Sequence, residues 1–231
     1  MQIQNLLAGW PAQTVAAALA GSAAIAWLAR LPKPAPLAGW ESPWIKRPLP
    51  LWLHALILSG LGAAWVIPSL NASLGDAVQG AFLLAVLYSI SIVDLETLEV
   101  PLAPAFLGIL VRFACAIMLE RESLLATVLG TFTGAGVLAL VGLAYEWLRG
   151  HPGLGQGDTA VLGLVGAYVG WQGLIPALMA AAIAGLLGGG GVLLYKRKAL
   201  NSPLPFGPFL AAGGWGVYVA QAAGWLPGAG N

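Results

Sequence analysis

Residues 78–94 read VQGAFLLAVLYSISIVD, an apolar run that ends on a carboxylate. A run with no charge before its last residue is a helix suited to a low-dielectric surround, and about 20 mostly apolar residues cross a membrane. Asp94 is the odd member. A negative charge at a helix C-terminus meets the unfavourable end of the helix dipole, so its placement asks for a role beyond reaching water. The rest of the chain is of the same kind. Of its 231 residues 59% are hydrophobic and 8% charged, with mean hydropathy +0.84. A soluble domain carries about 25% charged residues, so membrane lipid is the expected solvent. The net charge of +1 gives no case for nucleic acid. Cys115 is the only cysteine, which excludes an intramolecular disulfide and a multi-cysteine zinc site.

Eight segments have the length and polarity of spanning helices: 8–29, 51–69, 78–93, 102–119, 123–148, 159–172, 174–195 and 204–226. The expected fold is therefore all-α, a polytopic membrane helix bundle in one membrane-embedded domain over 1–231. Its 32 glycines suit close helix packing, and its 10 tryptophans suit headgroup-level anchoring. Trp171, Gln172, Gly173 and Pro176 mark a turn between the sixth and seventh segments. The run Gly188 to Gly191 reads as close packing in preference to a hinge. Arg30, the first basic residue, follows the first apolar run, which argues for a retained helix.

Charge fixes the orientation. With both termini outside, the inner segments carry Arg30, Lys33, Lys46, Arg47, Arg149, Lys196, Arg197 and Lys198, eight of the ten basic residues. Arg121 is outside and Arg112 lies within the fourth segment. This obeys the positive-inside rule and makes 30–50 a short cytoplasmic loop. It also brings Asp94, at the inner end of the third segment, to the same face as Asp158, at the inner start of the sixth.

Asp158 closes Gly153-Leu154-Gly155-Gln156-Gly157-Asp158. Taken alone it reads equally well as an N-cap after a glycine turn. As a pair the two aspartates say more. Two carboxylates within about 3 Å share one proton, so one can activate water while the other polarises a carbonyl. His54 and His151 have no metal-ligand spacing, and no metal or cofactor is needed for this chemistry. The competing reading is a non-enzymatic transport or assembly subunit, in which intramembrane polar groups such as Arg112, Gln79 and Gln221 line a path.

These residues resemble a known family. Gly155-Gln156-Gly157-Asp158 matches the GxGD motif of membrane aspartic proteases. Ile92-Val93-Asp94 with Val100-Pro101 resembles the first-aspartate motif of type IV prepilin peptidases. Pro205-Phe206-Gly207-Pro208-Phe209 resembles that family's PFGPF-like segment, and Gly21-Ser22 with Arg30-Leu31-Pro32 its N-terminal segment. The Tyr-Asp and Pro-Ala-Leu signatures of presenilin-type enzymes are absent.

The resemblance implies a bacterial inner-membrane aspartic endopeptidase with Asp94 and Asp158 as catalytic residues. Gly155, Gly157, Glu96, Glu99, Pro101, Pro205, Phe206, Gly207 and Pro208 would shape the site. Its implied substrates are type IV prepilins and type II secretion pseudopilins, cut at the cytoplasmic face. Many members also methylate the new N-terminus with S-adenosylmethionine, a cofactor implied here only if that activity is retained. The chain departs from the family at several points. Loop 30–50 lacks the family's two Cys-x-x-Cys pairs, which excludes the zinc ribbon. Ile25, Ala160 and Leu102 stand where the family has asparagine, lysine, and asparagine or aspartate.

Overall fold

The computed structural model describes residues 74–118, 123–150, 155–191 and 205–228. Within them the chain is helical: α1 (Leu74–Thr97), α2 (Leu102–Met118), α3 (Leu124–Arg149), α4 (Gln156–Ala184), a π-helical turn (Gly185–Gly190) and α5 (Gly207–Ala222). Three of these stretches, Val78–Thr97, Leu124–Arg149 and Gln156–Gly188, are long and apolar enough to cross a membrane. The expected segments 8–29 and 51–69, the loop 30–50 and the placement of both termini lie outside the described residues.

Several boundaries differ from the sequence expectation. α1 starts at Leu74 and runs on to Thr97, so Asp94 and Glu96 belong to its last turn. α4 starts at Gln156, with Gly155 as its N-cap. Asp158 is therefore in the first helical turn and is not the capping residue. Gly188–Gly190 belong to the π-helical turn, a wider winding than the regular helix expected there.

The division of α4 is the main topological feature. Gly170 has φ 69° and ψ 174° inside an otherwise helical stretch, a conformation open to glycine. The chain folds back at this point. A Cβ on Gly166 would lie 3.2 Å from Leu174 Cδ2, and neighbouring Gly213 and Gly214 face Ala177 and Val165 respectively. In one straight helix the 12 residues between positions 165 and 177 would span about 18 Å. α4 is thus a hairpin of two arms, 156–169 and 171–184. The reversal expected between the sixth and seventh segments is real, but it sits at Gly170, just before the residues expected to mark it. Pro176 is accommodated inside the second arm.

The hairpin is the centre of the bundle. Val161, Leu162, Leu164, Val165 and Val169 are buried along the first arm, against Leu83, Val86, Leu87 and Ile90 of α1 and Leu210 and Val217 of α5. Glycines let the backbones meet: a Cβ on Gly130 of α3 would overlap the Gly166 carbonyl, and one on Gly134 the Leu162 carbonyl. In lipid such close packing, with no apolar transfer term between helices, is what holds them together. The outward residues of α3 (Leu125, Phe132, Leu140, Leu143, Trp147) are apolar and exposed, as lipid-facing positions are.

Carbonyls just before a helix break have no partner within the helix. At the apex of the hairpin they take side-chain donors. Arg112 Nε donates to the Ala167 carbonyl (3.4 Å) and Nη1 to Gln79 Oε1 (2.6 Å), while Gln221 Nε2 donates to the Val169 carbonyl (3.0 Å). The guanidinium also lies 5.8 Å from the Tyr168 ring centroid. A cation at a helix C-terminus is on the favourable end of the dipole.

Candidate active site

The opposite end of the bundle carries the carboxylates. From Gln79 to Asp94 α1 rises about 22 Å. Asp94 is buried, 4% exposed, in the last turn of α1. Its Oδ2 accepts the backbone N–H of Gly207 at 2.9 Å. Gly207 is the first residue of α5, and first-turn N–H groups have no carbonyl to bind within their own helix. Pro208 follows without an N–H to compete, and the α5 dipole favours an anion at this end. The unfavourable position of Asp94 on α1 is thus offset by a favourable one against α5.

Asp158 is half-buried in the first turn of α4. Its carboxylate lies back over Gly155, where a Cβ would stand 3.4 Å from Oδ2. The preceding residue, Gly157, packs on Val100, and Val100 in turn lies against Gly207, whose N–H holds Asp94. Two aspartates 64 positions apart in sequence therefore face one space, between the end of α1, the start of α4 and the start of α5.

The connection from α1 to α2 closes that space. Thr97 Oγ1 donates to the Val93 carbonyl (2.8 Å) and accepts the Glu99 N–H (3.2 Å). Leu98, a non-glycine residue, is left-handed with φ 58°, and its N–H reaches the Asp94 carbonyl at 2.8 Å. The tight turn sends the chain back under Asp94. Glu96, Glu99 and Pro101 are half-buried around it, and Pro205 is fully buried at the approach to α5. Phe206 packs on the core and precedes α5 as its N-cap, with Pro208 half-buried in the first turn.

The site residues named from sequence all fall at this end of the bundle. Sequence reading did not single out Thr97 and Leu98, which carry no motif, or Val100, which was visible only as the residue before Pro101. His151 lies outside the described residues. Among the described residues no group of His, Cys, Asp or Glu could hold a metal ion.

A helical bundle with long apolar stretches, carrying two aspartates at one end, has the form of a membrane protein. Comparison with known proteins is more specific. The model of the type IV leader peptidase family matches residues 81–190, so this region is similar to that family. A prepilin leader peptidase/N-methyltransferase of Burkholderia pseudomallei is 35% identical over 158 residues, 68% of this chain and 51% of the relative. Proteins of the same name from Aeromonas salmonicida (38% over 88 residues, 38% of this chain and 30% of the relative) and Pectobacterium carotovorum (32% over 148 residues, 61% and 50%) are also similar. The chain spans about half or less of the length of these relatives. No solved structure matches it.

Proposed function

We propose that this protein is a membrane aspartic endopeptidase that removes the leader peptide of type IV prepilins and related pseudopilins, with Asp94 and Asp158 as the catalytic pair. What supports the reading is the placement of two aspartates at one end of the bundle, one of them buried and held by Gly207, in a chain that the leader peptidase family model matches. The ionised member takes a proton from water as the oxygen attacks the scissile carbonyl. The protonated member gives its proton to the carbonyl oxygen, forming a neutral gem-diol. Collapse breaks the C–N bond. The first aspartate then protonates the departing amine and the second recovers its proton from the diol, so the pair returns to its starting state. The proton belongs to the pair and is not assigned to one residue.

The positive-inside pattern supports the cytoplasmic face as the place of this chemistry, and the family resemblance supports a bacterial inner membrane. Glu96 and Glu99, on the turn beside Asp94, then offer negative charge to a basic leader. Reversing both charges is expected to raise KM while kcat changes little, and an unchanged KM removes that role.

The relatives' names also include N-methyltransferase. The proposal for this chain is confined to proteolysis, because loop 30–50 lacks the cysteine pairs of the family's zinc ribbon. S-adenosylmethionine enters only with a methylation activity, which no described residue independently marks. The transport or assembly alternative loses its main support, since Arg112, Gln79 and Gln221 are engaged at the hairpin apex.

The test is leader cleavage of a co-expressed prepilin by wild type, Asp94→Asn and Asp158→Asn. Cleavage by wild type, with both variants inserted and inactive, is the expected result. Cleavage that survives either substitution overturns the assignment of the pair.

A further inference from the structure

Three backbone segments meet at one side chain. Val100 is half-buried and packs on the core, two residues beyond the left-handed Leu98. A Cβ added at Gly157, the residue before Asp158, would fall on Val100 Cβ, 3.0 Å from its Cγ2 and 3.1 Å from its Cγ1. A Cβ added at Gly207, whose N–H holds Asp94, would stand 3.4 Å from the same Cγ2 and 2.8 Å from Asp94 Oδ2. The side chain of Val100 therefore fills the gap between the backbone that carries Asp158 and the backbone that anchors Asp94. Its own placement is restricted. Pro101 biases the preceding residue to extended backbone, the Thr97 hydrogen bonds fix the turn, and a β-branched side chain has few rotamers.

We propose that Val100 is a positioning residue, a spacer seated between Gly157 and Gly207 that sets the separation of the Asp94 and Asp158 carboxylates. The inference rests on the aspartic peptidase reading for its consequence, and on geometry alone for the spacing. A smaller side chain lets the Gly157 and Gly207 backbones close together. A larger one holds them apart. The second glycine of the Gly155-Gln156-Gly157-Asp158 stretch is thereby given a local reason: any side chain at 157 collides with the spacer.

The consequence is a specific pH signature. Two interacting carboxyl groups lose their protons in two steps that belong to the pair. The second proton leaves against the first negative charge, so its departure depends on distance. At an effective dielectric of about 20, moving unit charges from roughly 4 to 5 Å shifts that step by about half a pH unit. The other charged groups near the pair are unchanged in the test variants. The turn carries Glu96 and Glu99, the first turn of α4 carries only Asp158, α5 carries none, and Arg112 of α2 is at the far end.

The experiment compares wild type with Val100→Ala and Val100→Ile, purified in one detergent. Infrared titration follows the carboxylic C=O band, assigned with Asp94→Asn and Asp158→Asn, alongside the pH profile of prepilin cleavage. The expected result is a second titration step, and an alkaline limb of activity, that move up in Val100→Ala and down in Val100→Ile. A packing role alone lowers the melting temperature or the yield without moving the second step, and that outcome overturns the proposal. If one variant does not fold, the other decides by the same shift. If wild type cleaves no prepilin, the functional reading falls while the infrared steps still decide the spacer.

Discussion

Gly207 donates its N–H to Asp94 Oδ2 at 2.9 Å, joining the start of α5 to the end of α1 across 113 positions of sequence. The contact explains why both glycine and a helix start are used there. The donor is backbone, so no substitution other than proline removes it, but any Cβ at 207 stands 2.8 Å from the accepting oxygen. Gly207→Ala is expected to displace the carboxylate. A hydrogen bond to a charged group contributes about 1.5–3 kcal/mol, so kcat for leader cleavage should fall about 10- to 100-fold. Steady-state kinetics on protein of unchanged elution profile checks this. Wild-type kcat in the alanine variant would mean that the contact does not orient Asp94.

Leu98 carries the strain of the turn between Asp94 and Val100. A left-handed conformation costs a residue with a Cβ roughly 1–2 kcal/mol, and strain of this kind persists where its surroundings over-determine it. Thr97 supplies that determination through its bonds to Val93 and Glu99. Leu98→Gly is expected to keep or raise stability by up to about 1 kcal/mol, the relief being partly offset by the entropy of glycine. Leu98→Val puts a β-branched side chain at positive φ and should lower the melting temperature and activity together. Equal melting of both variants would show that the turn is unstrained.

Much of this end of the molecule was legible before the structure. Among the described residues, apolar runs placed the helices within a few residues, because in lipid every backbone group must be satisfied locally and helix is the simplest solution. Asp94 and Asp158 stood out because a carboxylate in an apolar chain is rare, and the charge pattern assigned them to one face. Other features were not legible. The fold-back at Gly170 was expected slightly later, because Trp171, Gly173 and Pro176 are louder turn signals than one glycine among many. The contact of Val100 with Gly157 and Gly207 joins three distant segments, and no periodicity encodes it. Arg112 suggested a polar path from sequence alone. Its partners at Ala167 and Gln79 become visible only once the hairpin exists.

Gly130 and Gly136 lie on the same helix and separate contact from composition. A Cβ at 130 would overlap the Gly166 carbonyl, which no rotamer change relieves, whereas one at 136 meets nothing within 4 Å. Gly130→Ala is expected to cost about 3 kcal/mol or to prevent folding. Gly136→Ala should stay within about 0.5 kcal/mol of wild type. Thermal unfolding in detergent, read by tryptophan fluorescence, makes the comparison. Similar losses in both would mean that α3 does not pack on the hairpin through Gly130.

Arg112 gives the test that separates scaffold from chemistry. Its guanidinium binds Gln79 and the Ala167 carbonyl and lies by the Tyr168 ring, about 22 Å along the bundle from the aspartates. Arg112→Leu removes the donors and leaves two buried acceptors short of partners, which should cost about 2–4 kcal/mol. Arg112→Lys keeps the charge but replaces a planar fork with a single point of donation, so it should recover only part of the loss. Leader cleavage measured well below the melting transition should keep its wild-type pH profile in both variants, because the apex holds the hairpin without touching the carboxylates. If Arg112 instead belonged to a proton or ion path, the two variants would alter function while leaving the melting temperature in place. That pattern would return the transport reading to consideration.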